Sequence, residues 1–586
     1  MKRKRTFILT ICLMLVVLMG TTVFAAEVDQ VQLNADRFGF LTLLPPFIAI
    51  VLAFITKNVV LSLSLGVFSG TFLLQLQGKN IFGAILNGFL DIVNKILGSL
   101  SDPWNAGIIL QCMTIGGLIA LVSKMGGAKA VAESLAKRAK SPTSAQLITW
   151  FLGLLVFFDD YANSLIVGPI MRPVSDKMRI SREKQAFIVD STAAPISGIA
   201  LISTWVGYEI SLIKDAYGSI GQDINAYGVF IDTIPYRFYN ILILVFIVAS
   251  AIMLRDYGPM LKSEVRARTT GKVLGDGAKP MVSSEATALE PKENIKLNIW
   301  NAIVPIGVLL VGAFVGFYFN GYNAIMGGED EALKAIFTSS PYSFAAIREA
   351  FGASDASVVL FQAALFASIV AMVMGVAQKI FTIEEAVDTW VEGMKSLMIT
   401  GVILLLAWSL SSVIKELGTA KFLVTVLSDA LPAFILPSII FVMGAIISFA
   451  TGTSYGTMGI LMPLTIPLAF SLGGGDAQYI IVNASAVLTG AIFGDHCSPI
   501  SDTTILSSMG TACDHLEHVK TQMWYSLTVA TITILFGYIP AGFGFKASIV
   551  LPISIIMTVL VLYLLGKPVE EISKAKDFSD EVATSK

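Results

Sequence analysis

Charge is scarce in this sequence. Only 14% of its 586 residues are Asp, Glu, Lys or Arg, and the 40 basic and 42 acidic side chains nearly cancel, to a formal net charge of −2. The broad basic field that nucleic-acid binding uses is therefore absent. Cysteine is scarcer still. Cys12, Cys112, Cys497 and Cys513 all lie in or beside apolar runs, on no metal-ligand spacing, so neither a disulfide framework nor a zinc site is expected. There is no Gly-x-x-x-x-Gly-Lys-Ser/Thr phosphate loop to suggest an ATP-driven pump, and no His-Glu-x-x-His pair to suggest a metallohydrolase. Apolar residues fill the place left by charge. They make up 55% of the chain, and a mean hydropathy of +0.76 exceeds what a soluble core can hide. The bilayer is the expected solvent, and an all-α polytopic membrane protein the expected fold class.

A spanning helix needs about 20 apolar residues, and an excess of Lys and Arg marks cytoplasmic loops. Residues 1–26 open with Lys2, Arg3, Lys4 and Arg5 and run apolar to Val23-Phe24-Ala25, as a signal peptide or signal anchor does. A first transmembrane repeat is expected over 38–254. Residues 41–56 enter and 59–76 return. Residues 80–98 carry Ile81, Ile85, Phe89, Ile92 and Ile96 at helical spacing, as an interfacial helix does, and 105–123 enter again. The apolar run 145–171 has basic loops on both flanks, with Lys137, Arg138 and Lys140 before it and Arg172, Lys177 and Arg179 after it. One crossing would put a basic loop outside. A re-entrant helical hairpin turning at Phe158-Asp159-Asp160-Tyr161 keeps both inside. Residues 186–206 then cross outward, broken at Ala194-Pro195-Ile196-Ser197-Gly198, where proline removes a backbone donor. Glu209 to Asp232 are expected outside, and 238–254 return to a cytoplasmic linker over 255–297.

The same order recurs, inverted, over 298–543. A second hairpin, about 433–470, turns at Thr451-Gly452-Thr453-Ser454, and a second broken helix, 478–510, is interrupted from Gly494 to Asp502. Pro195-Ile196-Ser197 matches Pro499-Ile500-Ser501, and Ser203-Thr204 falls opposite Ser507-Ser508. The expectation is two inverted-topology repeats, each with a re-entrant hairpin and a broken transmembrane helix, which place their site where the breaks meet. An extra helix over 544–566 and a cytoplasmic tail over 567–586 complete a multi-pass protein of a bacterial-type inner membrane, its C-terminus cytoplasmic.

Acids at membrane depth need a partner or a role, since each costs on the order of 3 kcal/mol to insert. Asp159, Asp160, Asp190, Asp495 and Asp502 all fall near the breaks, among neutral oxygens from Asn163, Ser164, Thr453, Ser454, Ser498, Ser501 and Thr503. Hard cations prefer such oxygens, so these residues other than Asp190 form the candidate cation and proton site, without a cofactor. A buried carboxylate holds either a proton or a cation, and that exclusion is itself an exchange mechanism. Asp190 and His496 are candidates for a proton relay. His515 and His518, beside Asp514 and Glu517, are expected at the cytoplasmic surface.

Four stretches resemble the NhaC-type sodium/proton antiporter family, of the ion-transporter superfamily: Phe157-Phe158-Asp159-Asp160-Tyr161-Ala162-Asn163; Ala407-Trp408-Ser409 with Ile414 to Ala420; Thr451 to Thr457; and Gly494 to Thr504. The resemblance spans roughly residues 145–530 and implies cation-coupled exchange on a fold with inverted repeats and hairpins. Relatives that look similar exchange carboxylates such as malate and lactate, or move amino acids, so an organic-anion or amino-acid exchanger is the alternative. That alternative requires Lys415, Arg172 or a helix N-terminus to face the substrate carboxylate. An intramembrane hydrolase and a channel are further removed. The expected partners are Na+ and H+ as substrates and the lipid bilayer, with no nucleic acid; a homo-oligomer is compatible with the sequence but not required by it.

Overall fold

The computed structural model describes residues 31–573 except 57, 77–79, 281–290, 292–294, 329, 420, 423–425 and 427–431. The expected signal segment 1–26, with Cys12, and residues 574–586 of the tail lie outside the described residues. Among the described residues, regular structure is helical apart from one antiparallel pairing of Arg255–Asp256 with Lys567–Pro568. Eleven of these helices are long and apolar enough to cross a membrane; the pair Ala226–Tyr236 and Phe238–Met253, bent by 46°, makes a twelfth if it is one span.

Side chains are distributed as a bilayer requires. Large apolar residues face outward, among them Phe82 at 77% exposure, Ile81 at 68% and Val311 at 64%, whereas Ser, Thr, Asn and Asp fill the interior. In water this arrangement would be penalised; in lipid the exposed chains are already in their preferred solvent. Helix ends are closed locally. Asn80 accepts from Gly83 N, Asp102 accepts from Trp104 N with Pro103 at the first helical position, and Thr382 with Glu385 forms a capping box.

The first hairpin consists of Pro142–Leu155 and Asp160–Lys177, and the second of Leu436–Thr451 and Ser454–Leu472. Their arms are about 20 to 30 Å long at 1.5 Å per residue. The first broken helix runs as Arg182–Ser191, Ala194–Ser197 and Thr204–Ser219, the second as Ala477–Cys497 and Asp502–Thr511. The first hairpin lies directly on the second broken helix. A Cβ on Gly510 would sit 2.4 Å from Ser164 O, and one on Gly168 2.8 Å from Gly510 C, so these backbones are in contact.

Two expectations need correction. Glu209, expected outside among solvated acids, is fully buried in the helix Thr204–Ser219, and its Oε2 is 2.6 Å from Arg237 Nη2, also fully buried. A loop charge count treats every acid as solvated and misses a partner 28 positions away. The shared Pro-Ile-Ser, which the sequence reading used only as a sign of duplication, stands on different backbones at the two breaks. Pro195 belongs to a short helix, whereas Pro499 lies in the open break; Ser203 caps a helix, whereas Ser507 and Ser508 lie inside one. The segment expected as an interfacial helix is Ile81–Ser101, 21 residues, which reaches spanning length.

Candidate cation site at the helix breaks

Three helices begin at one cavity of about 570 Å³. Asp160 opens the second arm of the first hairpin, Thr453 precedes Ser454–Leu472 in the second hairpin, and Asp502 opens the last segment of the second broken helix. All three line the cavity, with Tyr161, Tyr455 and Ile500. From there it reaches Asn58, at the start of Val59–Gln75, and Leu397 and Thr400, at the start of Met398–Leu417. Among the described lining residues none is Lys, Arg or His.

A helix start leaves N–H groups unbonded and carries partial positive charge, so an acid at the first position is held there by the helix itself. Asp160 and Asp502 each occupy that position. Tyr161 spans between them, its hydroxyl donating to Asp502 Oδ2 at 3.2 Å. The turn of the second hairpin is pressed onto the second break. Gly452 has φ +68°, and a Cβ there would sit 2.6 Å from Ile500 O. A side chain at this position would meet both backbone strain and a clash.

Beside the cavity, Asp495 Oδ2 accepts from Ser454 Oγ at 2.8 Å, while its Oδ1 is buried without a hydrogen-bond donor among the described residues. Asp159 accepts from Thr204 Oγ1 at 3.4 Å, and Phe158 O from Thr204 N at 3.0 Å, which docks the first hairpin's turn on the first broken helix. Asn163 ties the first arm of its hairpin to the first break: its Nδ2 donates to Gly153 O at 2.8 Å and to Thr192 O at 2.7 Å, leaving Oδ1 buried and without a donor among the described residues. Oxygens left without donors in a dry interior are costly unless a cation or proton meets them.

The family model for the Na+/H+ antiporter family matches residues 5–200 and 196–543. The chain belongs to the Na+/H+ antiporter family. An uncharacterized protein of Haemophilus influenzae is 32% identical over 526 residues, 88% of this chain and 95% of its own length. The malate-2H(+)/Na(+)-lactate antiporter of Bacillus subtilis is 39% identical over 119 residues, 19% of this chain and 24% of that one. The crystal structure of the YdaH transporter of Alcanivorax borkumensis superposes with a TM-score of 0.51 at 15% identity, covering 78% of this chain and 90% of that chain, a likeness of fold. As a member of the Na+/H+ antiporter family the chain is a multi-pass membrane transporter, not an enzyme.

In this antiporter-family chain the residues singled out in the sequence separate into groups. Asp160, Thr453 and Asp502 line the cavity. Asp495 with Ser454, and Asp159, stand beside it. Ser498 donates to Phe449 O at 2.7 Å, and Ser501 and Thr503 share a bond of 2.9 Å at the break. Asn163, Ser164, Asp190 and His496 have other partners deeper in the protein. Ser164 is 2.9 Å from Ser507 Oγ, Asp190 accepts from Gln522 and Ser507, and His496 lies between Ser191 at 2.9 Å and Tyr239 at 2.7 Å. His518 is not a surface residue: it is fully buried, because helix His515–Ile532 turns it toward Ser508 and Gln522. Gln522 and Tyr239 escaped sequence reading. The signal for both was a polar group inside an apolar helix, which at membrane depth needs a partner.

Proposed function

We propose that the chain exchanges sodium for protons by alternating access around this cavity, with Asp160 and Asp502 as the carboxylates for which the two ions compete. The observation that carries the reading is the lining itself: two acids at helix starts and hydroxyl oxygens, with no basic side chain among the described residues that line the cavity. Such a lining attracts a hard cation and offers it oxygen ligands. Asp495, Asp159, Ser454 and the unpaired Asn163 Oδ1 would complete the oxygen set when the breaks move closer together. A proton on either cavity acid removes the charge that holds sodium, so the two ions are bound in alternation and the transporter moves only when one of them is present. On our reading of the halves as inverted repeats, 38–254 and 298–543, the cavity opens at Asn58 and Leu397 toward the cytoplasm. The protein would then be inward-facing, in the inner membrane of a bacterial-type cell.

One observation favours a second reading, exchange of a small organic anion. The helix Ser454–Leu472 starts at the cavity with no side chain capping its N–H groups, and the cavity is far larger than a bare sodium ion. A carboxylate could be held there once protons or sodium neutralise Asp160 and Asp502. Against it, Lys415 lies elsewhere, in a separate cavity of about 250 Å³ with Lys214, Asp102 and Asp215. Proteoliposomes carrying an internal pH dye separate the readings: NaCl, LiCl, KCl, malate and lactate are added singly against an imposed proton gradient. Dissipation by sodium without an organic anion supports sodium/proton exchange. Dissipation only with malate or lactate overturns it.

A further inference from the structure

Two of the chain's 3 histidines share a serine. Ser508 Oγ is 3.0 Å from His515 Nδ1, 2.8 Å from His518 Nδ1 and 2.8 Å from Thr504 O. The outer nitrogens fix the tautomers. His515 Nε2 lies 2.7 Å from Pro499 O, an acceptor, so that nitrogen carries a hydrogen. His518 Nε2 lies 2.9 Å from Gln522 Oε1, and the amide cannot be turned round, because its Nε2 donates to Asp190 Oδ2 at 2.7 Å and to His496 O. His518 Nε2 therefore carries a hydrogen as well. If both rings are neutral, both Nδ1 atoms are acceptors, and with Thr504 O three acceptors converge on a hydroxyl that has one hydrogen. One added proton relieves this shortage. A ring protonated at Nδ1 donates to Ser508 Oγ, and Ser508 donates to the other ring.

Charge balance calls for the same proton. Asp190 is fully buried and receives donors at both oxygens, Gln522 Nε2 at 2.7 Å and Ser507 Oγ at 3.3 Å, bonds that favour its ionised form. Among the described residues, the basic group within ion-pair distance of Asp190 is His518, at 3.8 Å. A buried acid without an opposite charge is strongly disfavoured, and an imidazolium at His518 supplies that charge. The other titratable groups on the surrounding helices are engaged elsewhere. Lys184, on the segment that carries Asp190, is paired with Asp256; Glu264 accepts from Ser181 N; Tyr239 and His496 bond each other; Glu517, between the two histidines in sequence, meets Lys520. Asp514 caps the helix that carries both histidines, and Cys497 is buried on the second broken helix.

We propose that His515, Ser508 and His518 bind one proton as a unit, taken from solvent through the partly exposed His515 and balanced by Asp190, and that this proton controls exchange. The site joins three elements: the first broken helix through Asp190, the second through Ser508, and helix His515–Ile532. It is separate from the cavity carboxylates. Loss of the proton leaves Asp190 unbalanced between those elements, so exchange responds to pH on the side that His515 faces. The control of exchange rests on the sodium/proton reading; the proton site does not.

The test follows the three imidazoles of the full chain, 15N-labelled at histidine, by NMR in detergent. His515 and His518 should titrate together through one shared proton, with His496 outside that transition. Ser508→Ala should uncouple them, with His515→Gln as the milder replacement if folding suffers. Asp190→Asn should move the midpoint to lower pH by about one unit or more, the scale of a lost opposite charge. Independent titration of the two rings, unchanged in Ser508→Ala, overturns the site. In proteoliposomes, Asp190→Asn should shift the pH midpoint of sodium-driven proton flux with the KM for sodium unaltered. A shared titration without any sodium-driven flux upholds the proton site and overturns the exchange reading. Coupled flux whose pH profile ignores Asp190→Asn overturns the control.

Discussion

The pair Glu209 and Arg237 gives a stability prediction that can be worked from distances. Both side chains are fully buried, with Glu209 Oε2 at 2.6 Å from Arg237 Nη2. The guanidinium also donates to Gly198 O, a carbonyl freed by the first break, and to Thr233 Oγ1, and it lies 5.0 Å from the centroid of the Phe230 ring. Arg237 thus fastens two sides of the break. Glu209→Gln leaves the guanidinium buried without a counter-charge, and Arg237→Gln leaves the carboxylate so; each should cost about 3–5 kcal/mol. The double variant removes both charges together and should cost clearly less than the sum, with a coupling of about 2 kcal/mol or more. Unfolding free energies from reversible SDS titration in mixed micelles provide the cycle. Additive single effects, or a Glu209→Gln variant within about 1 kcal/mol of wild type, would refute the claim that this pair works as a unit across the break.

The remaining predictions concern the site and its orientation. Asp160→Asn and Asp502→Asn should each insert and fold yet include at least one transporter without sodium-driven proton flux, because a neutral amide cannot trade a proton for a cation; the same is expected across Asp159→Asn and Asp495→Asn. Wild-type flux in all four would remove the carboxylates from the mechanism. Gly452→Ala, strained at φ +68° and pushed against Ile500 O, should lower exchange at least tenfold, and a wild-type rate would show that the turn and the break do not need to touch. Single cysteines placed at Ser141 and Lys177, the two ends of the first hairpin, should react with impermeant thiol reagent only from the cytoplasm; labelling of either from outside would make 145–171 a crossing.

How much of this was readable in the sequence depended on whether a feature was local. Hairpin turns and breaks announced themselves, because Asp159-Asp160 and Gly452 interrupt apolar runs that otherwise continue, and the structure interrupts its helices at those places. Partners were not readable. Glu209 looked solvated until Arg237 was seen beside it, and His518 looked exposed because its neighbours Asp514 and Glu517 are polar, although helical rotation turns it inward. The division of the acids was equally hidden. Asp160 and Asp502 come together from positions 342 residues apart, whereas Asp190, close to the first hairpin in sequence, is bonded away from the cavity.

The central claim, that sodium and protons compete for the same carboxylates, is tested most directly by the KM for sodium as a function of pH in proteoliposomes holding the wild-type chain. If one acid serves both ions, the KM should rise as pH falls, by up to about tenfold per unit once the acid is mostly protonated, while the maximal rate at saturating sodium is retained. A KM that stays constant while the maximal rate falls would contradict the account and assign the two ions to separate sites.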